Sequence, residues 1–336
     1  MPLRALTSTP MRRRGPGRAA SGQVAVYLFM VWVVITLVFV VPRAMPGDPL
    51  SVYEDGESTL SPEARSALAE RYHLDRPLLE QYGRYVTSLA RADLGESIGG
   101  QGPVAEQLQR RLPWTLLLAG TALALSSTVG FLSGVTSAWG RERRTDRELL
   151  AVMTVFRSIP EYMTASLLLI LFGVVIQIFP IAGSTTPFPT SSGLLYTVGD
   201  VAYHLVLPAV ALALGLMGTT FLLVRNTTVS VLGQEYMVAA RAKGVPMRSL
   251  KYRHAGRNAM LPFLTLVGVQ TGFATGGALF VETVFAYPGL ASLLVPAVNR
   301  LDYPLLEGCF LVLAFVVLTV NLVIDLAYSR LDPRVG

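Results

Sequence analysis

Few side chains in this sequence are placed to do chemistry. Three histidines, His73, His204 and His254, are too scattered for a metal cage. There is no H-E-x-x-H pair and no G-x-S-x-G nucleophile elbow. Lys243 and Lys251 are the sole lysines, and neither follows a glycine as the phosphate-cradling G-x-x-x-x-G-K-[ST] loop requires. No catalytic residue, metal site or resident cofactor is therefore expected. The remaining chemistry is electrostatic. Arg157, Glu161, Glu282, Glu307 and Asp325 lie in or beside long apolar runs, with Arg225 at the edge of one. Ionisable groups in such places are costly and are functional candidates by default. Glu282 follows 24 uncharged residues; it can meet a substrate amine or hold a nearby backbone amide. Asp325 can pair with Arg330 or Arg225. His204 reads as a satisfied helix-start histidine.

The elements that must position these groups are membrane helices. Apolar residues make up 52% of the chain and charged ones only 15%, against about 25% in soluble domains. The charges are also segregated. Residues 24–41, 112–140, 162–199, 201–224, 258–281 and 308–324 carry none. A helix of about 20 apolar residues spans the hydrocarbon layer, and these runs are too long for barrel strands. The reading is an all-α polytopic membrane protein with six transmembrane helices near 23–43, 112–138, 149–179, 201–225, 260–285 and 305–328. Arg157, Pro160 and Glu161 interrupt the third, so its start is the least defined. Gly272, Gly276 and Gly277 offer a small-residue face for close packing in the fifth span. Pro208 and Pro262 are candidate kinks.

Basic residues set the orientation. The tail 1–22 carries Arg4, Arg12, Arg13, Arg14 and Arg18. The second-to-third loop carries Arg141, Arg143, Arg144 and Arg147. The loop 226–259, together with Arg225 at its edge, carries seven more basic residues, and the tail 329–336 carries Arg330 and Arg334. Six spans place these on one side and the segment 44–111, with eleven Asp or Glu, on the other. Both termini are expected to be cytoplasmic. The positive charge reads as topology and anionic-lipid contact rather than nucleic-acid binding. The first span is long for a signal-peptide core and lacks a small-x-small cleavage site before Pro42, so it reads as a retained helix. Cys309, alone in the sixth span, reads as inert.

Two polar segments break the apolar pattern. In 44–111, Ser61-Pro62-Glu63 is a helix start, with a capping hydroxyl, a proline and an acid favoured by the dipole. A second short amphipathic helix follows Pro77, with Tyr82 and Tyr85 on one face. In 235–262, good helix formers run to Lys243. Gly244 stops them, and Pro246 suits the start of another helix. Ala239, Ala240, Ala242 and Gly244 let a partner's surface approach, while Arg241 and Lys243 supply charge. Such a helix suits a groove on another protein.

The stretch Glu235–Pro262 resembles the cytoplasmic coupling loop of permease subunits in ATP-binding-cassette importers, of the dipeptide, oligopeptide and nickel branch. The likeness rests on A-R-A-K-G at 240–244, Arg257-Asn258 and Leu261-Pro262. It extends to H-L-D-R-P-L-L-E-Q-Y-G-R-Y at 73–85, A-D-L-G-E-S at 92–97, R-L-P-W-T at 111–115, Arg157–Pro160, His204–Pro208, Val281–Phe285, Tyr287–Leu290 and Asp302–Pro304. Val238 stands where the generic importer motif has a glutamate, and the glycine-to-proline spacing is long; both look like features of this branch. The resemblance implies a type I importer permease: a core 112–328 with five of the six helices and a coupling loop at 226–259. Within the loop, Glu235, Tyr236, Ala239, Ala240, Arg241, Ala242, Lys243, Gly244, Arg257, Asn258 and Pro262 would meet the ATPases. Glu282, Arg157 and Glu161 are candidates for the translocation path. It also implies a paralogous second permease, two ATPase subunits that bind the ATP and magnesium, an external substrate-binding protein, and the bacterial inner membrane as the site of action. Short peptides are the expected cargo; nickel complexes, haem and glutathione fit the same branch. A self-sufficient ion-coupled transporter would show internal repeats and paired broken helices; no repeat is evident.

The charge pattern predicts that a cysteine at Ser58, in a Cys309→Ser background, is labelled by an impermeant maleimide in intact cells. Labelling at Ser249 but not at Ser58 would invert the topology.

Overall fold

The computed structural model describes residues 16–53, 61–99, 102–188 and 193–331. Arg4, Arg12, Arg13, Arg14, Ser58 and Arg334 lie outside the described residues, as do the side chains of Arg18, Asp325 and Arg330 with the pairing expected of Asp325. The described residues form eleven α-helices: α1 Pro16–Arg43, α2 Pro62–Arg71, α3 Leu78–Ala90, α4 Val104–Trp139, α5 Arg144–Ser158, α6 Glu161–Leu168, α7 Leu194–Leu232, α8 Glu235–Ala242, α9 Gly256–Val284, α10 Ala291–Arg300 and α11 Tyr303–Leu331. Extended pairing among them is limited to one isolated bridge, Glu96 with Pro103. Five segments are long and apolar enough to cross a bilayer: Val26–Arg43, Val104–Trp139, Leu194–Leu232, Ser249–Val284 and Tyr303–Ile324.

The third span departs from the expected single helix over 149–179. It is a bent pair: α5, then a turn of 103°, then α6 carried on by a wide π-helical stretch, Leu169–Val175. Pro160 lacks an N–H and forces the residue before it out of the helical region. Ile159 is accordingly extended, at φ −93° and ψ 126°. The second span also begins earlier than expected. α4 starts at Val104 after Pro103, with Glu106 in its first turn paired to Arg110 one turn on, so polar residues 104–111 extend an apolar helix. At 36 residues it runs about 54 Å, well beyond the roughly 30 Å hydrocarbon layer. Pro208 and Pro262 lie inside α7 and α9 without interrupting either helix.

The short helices of the first polar segment form as expected. The Ser61 hydroxyl accepts the Ala64 amide at 3.2 Å. α3 does not lie free. Its Tyr82 and Tyr85 rings pack on Phe39 of α1, with centroids 5.2 and 5.6 Å away, and Tyr82 shares a 2.8 Å hydrogen bond with Thr36.

α4, α7 and α9 form the centre, and the closest crossing is α4 on α7. A Cβ added at Gly130 would sit 2.8 Å from Thr220, and one at Gly134 would sit 2.8 Å from the Phe221 carbonyl. Four residues apart, the two glycines share one helix face, so the backbones meet. The small-residue face expected at Gly272, Gly276 and Gly277 is not one contact. Gly277 abuts Leu212 of α7, Gly272 looks toward Val317 of α11, and Gly276 faces open space. Gln270 of α9 locks the same core: its amide donates to the Leu216 carbonyl at 2.8 Å and its oxygen accepts from Thr220 at 3.1 Å.

α4 links two opposite ends of the bundle. At its start, Arg111 donates to the Pro288 carbonyl and the Thr115 hydroxyl accepts the Leu290 amide at 2.8 Å. Nearby, Asp302 accepts from the amides of Ile98 and Gly99 at 3.1 and 3.0 Å. At the other end of α4, Thr136 accepts from Lys251 at 3.0 Å, and the Arg241 guanidinium lies 5.4 Å from the Trp139 ring centroid. The described residues of 44–53, 61–99 and 102–103 thus share one end with 285–302, and 140–143 and 233–255 share the other.

Filling the crossing should be costly. Gly134→Leu is expected to destabilise by about 1–3 kcal/mol, seen as a lower thermal unfolding midpoint of detergent-purified protein. Gly276→Ala should leave the midpoint in place. Equal shifts would remove the crossing from its central position.

Candidate functional site

α8 is a short helix held by one side and bare on the other. Its acidic start, Glu235, suits the positive end of the helix dipole. Met237 is its one buried residue. It packs with Val231 from the end of α7, Leu250 and Ala255 from the turn leading into α9, and Trp139 from the end of α4. One side chain therefore ties α8 to the ends of all three central helices. Glu235, Tyr236, Val238, Ala239, Arg241, Ala242 and Lys243 are exposed. Val238 retains 60% of its surface and Met247 63%. Ala240 was expected on this small-residue face but turns inward toward the Met237 cluster, because it lies three residues after Met237 on the same side of the helix.

Gly244 ends α8 as its sequence predicts. It takes φ +72°, the left-handed region open to glycine. Its amide donates to the Arg241 carbonyl at 3.0 Å, and the Val245 amide to the Ala240 carbonyl at 3.3 Å. That pair of bonds is the Schellman closure. No atom lies within 4 Å of a Cβ built at Gly244. After Pro246 the chain turns helical again through a π-helical stretch, Ser249–Ala255, into α9. Asn258 donates to the Tyr236 hydroxyl at 2.7 Å, and partial burial raises the Tyr236 pKa above its ordinary value. Arg257 is exposed beside this bond. Pro262 lies inside α9, half-buried and apart from the bare face of α8. The cation edge is partly engaged: Arg241 covers Trp139, while Lys243 has no hydrogen bond or ion pair among the described residues.

The ionisable groups of the spans divide into paired and unpaired. Arg225 of α7 meets Asp146 of α5 through two bonds, Nε to Oδ1 at 2.8 Å and Nη2 to Oδ2 at 2.7 Å. Ser137 of α4 and the Glu142 amide complete the carboxylate's shell. Arg225 is thus committed to Asp146. Glu307 pairs with Arg43 of α1, whose guanidinium stacks 3.6 Å from the Phe39 ring centroid. Glu282 is 1% exposed and accepts the Ala291 amide at 2.8 Å, at the start of α10. A Cβ at Gly289 would come within 2.2 Å of its carboxyl. Glu282 therefore faces no open surface of this chain and holds a backbone amide, the second of the two roles expected of it. His204 Nδ1 donates to the Asp200 carbonyl at 2.9 Å and sits 3.3 Å from the Asp200 carboxylate. Arg157 and Glu161 have no hydrogen bond or ion pair among the described residues and flank the bend of the third span.

Residues 126–336 match the family described as binding-protein-dependent transport system inner membrane components. The chain belongs to that family. It is the permease component of an ATP-binding-cassette importer, with several helices able to cross the membrane. Its curated relatives cover nearly the full chain. A Brucella ovis protein provisionally named a peptide permease is 35% identical over 309 residues, 92% of this chain and 95% of its own. The di/tripeptide transport system permease protein of Pseudomonas aeruginosa is 33% identical over 315 residues, 90% and 94%. The dipeptide transport system permease protein of Escherichia coli K12 is 31% identical over 315 residues, 89% and 93%.

Three structural residues of this permease escaped the sequence reading: Met237, Trp139 and Asp146. Met237 carried a signal, as a large apolar side chain inside a polar loop three residues before Ala240. Trp139 and Asp146 carried none, since their partners lie 102 and 79 residues away in the chain. Removing one partner of a buried ion pair costs about 3–5 kcal/mol. Asp146→Ala should therefore sharply lower the yield of folded, monodisperse permease in detergent. The double variant Asp146→Leu/Arg225→Met should recover much of it. Loss as severe in the double variant would show that the clamp acts through more than its charge balance.

Proposed function

We propose that this permease forms half of the translocation path of a peptide importer and receives its drive through α8. The observation that carries the reading is the one-sided anchoring of α8. One face is bare, small and basic; the other is fixed through Met237 to the ends of α4, α7 and α9. A force on the bare face reaches all three central helices together. The peptide cargo is supported by the relatives named for peptide, dipeptide and di/tripeptide transport.

In this reading the partners are a paralogous second permease, two ATPase subunits that hold ATP and magnesium, and an external substrate-binding protein. Closure of the ATPases on ATP moves 235–250, the helices rock, and the path opens toward the binding protein; hydrolysis resets it. Both termini and the coupling loop 226–259 lie on the cytoplasmic side, with 44–111 outside. The basic residues on the α8 end of the bundle support that orientation.

The test is uptake of a radiolabelled dipeptide by the complete importer in proteoliposomes, driven by ATP. Gly244→Trp meets no atom of this chain within 4 Å of its Cβ. It carries a backbone strain of about 1–2 kcal/mol and a bulky ring toward whatever seats on α8. Uptake should be abolished while the protein stays in the membrane in near-normal amount, with ATPases lost or ATP hydrolysis uncoupled. Wild-type uptake with ATPases still bound would remove this face from coupling.

A further inference from the structure

We propose that Arg157 and Glu161 form a binding point, deep in the membrane, for the two charged ends of a zwitterionic peptide. The proposal rests on the peptide-importer reading and names the side chains that meet the cargo.

The first argument is depth. Arg157 packs its Cβ against Gly218 of α7, and Glu161 packs its side chain against Gly215 of the same helix and approaches Gly277 of α9. Gly218 and Gly215 lie about 10 and 15 Å along α7 from Arg225, at 1.5 Å per residue. Arg225 belongs to the clamp at the α8 end of the bundle, so both charges sit well inside a hydrocarbon layer of roughly 30 Å. Charges at that depth face a water-filled path or a counter-charge, because lipid does not solvate them.

The second argument is pairing. Elsewhere in the spans charges are engaged: Arg43 holds Glu307, Arg225 holds Asp146, and one oxygen of Glu282 holds the Ala291 amide. Arg157 is exposed on this chain and Glu161 half-buried, and among the described residues neither has a hydrogen bond or ion pair, with the other or with any third group. Their separation has a structural cause. The extended backbone at Ile159-Pro160 and the 103° bend splay the last turn of α5 from the first turn of α6. Glycines at 215, 218 and 277 leave room for the two stems, so their charged heads are held apart rather than drawn together.

The third argument is fit. A guanidinium takes a carboxylate through two parallel N–H bonds, and a carboxylate takes an ammonium. The two side chains contact α7 at points one helical turn apart, about 5 Å. The ends of an extended dipeptide are about 7 Å apart, at 3.3–3.6 Å per residue. A short zwitterion therefore bridges the two charges without requiring them to pair.

The experiment uses the complete importer in proteoliposomes, with a radiolabelled dipeptide and the loaded binding protein. Arg157→Gln and Glu161→Gln should each lower uptake roughly tenfold, the scale of one lost charge-assisted contact. ATP hydrolysis stimulated by the loaded binding protein, and the amount of assembled complex, should stay near wild type. Arg157→Lys and Glu161→Asp keep the charges and should restore most of the uptake. Unchanged uptake in both glutamine variants would overturn the site. So would loss of assembly or of stimulated ATP hydrolysis in step with uptake, since the counter-charge would then belong to the partner permease or to the fold. No uptake by the wild-type importer would instead overturn the peptide reading.

Discussion

Two helix backbones can touch only where side chains are absent, and in this permease α4 and α7 touch at Gly130 and Gly134. Between apolar helices in lipid there is no hydrophobic drive to associate; close van der Waals contact and buried hydrogen bonds supply the attraction. The α4–α7 crossing provides the contact, and Gln270 provides the bonds by reaching from α9 to Leu216 and Thr220 of α7. Everything else is arranged about this three-helix centre. α5 and α6 lie on α7, and α11 closes on α9 where Gly268 meets Asn321. α1 follows α11 through the Arg43–Glu307 pair.

The same low-dielectric setting sorts the charges. An unpaired charge in hydrocarbon is costly, and a paired one is tolerable when the remaining polar atoms are also bonded. Asp146 meets that condition through Arg225, Ser137 and the Glu142 amide. That clamp joins α4, α5 and α7 close to α8. Glu282 meets it in part: Oε2 accepts the Ala291 amide at the start of α10, while Oε1 is buried without a hydrogen-bond partner among the described residues. Against this background the unsatisfied pair at the bend of the third span stands apart. It is the place where the fold leaves charge available at depth.

α8 shows how a small helix can be both firmly attached and open to a partner. Its one buried side chain is Met237, in a cluster drawn from three other elements, with the Tyr236–Asn258 bond and Arg241 over Trp139 beside it. Its end is a glycine closure that needs no side chain beyond it. Glu235, Val238, Ala239, Ala242 and Lys243 are consequently left exposed on the outer face. A connection of this kind transmits displacement better than a long flexible loop, because Met237 cannot move without α4, α7 and α9 feeling it.

Much of this was legible in the sequence. Long uncharged runs imply membrane helices because lipid offers backbone groups no other partner. Ser61-Pro62-Glu63 marked α2, and Gly244 marked the end of α8, because capping depends on a few adjacent residues. What the sequence left open were facts about distance. Pro160 signalled an interruption, but only the fold showed a 103° bend with α5 laid on α7. The start of α4 was hidden because its first two turns are polar and held by neighbours at the bundle end. The glycines that matter for packing could not be told from those that do not, since Gly130 and Gly276 look alike until a neighbour is in place. Glu282 read equally as a group for a substrate amine or for a backbone amide, and only the approach of α10 showed which amide it holds. Local rules decided where helices begin, end and cross the membrane. The tertiary structure decided which charges find partners, because a charge's role depends on what lies across the space in front of it.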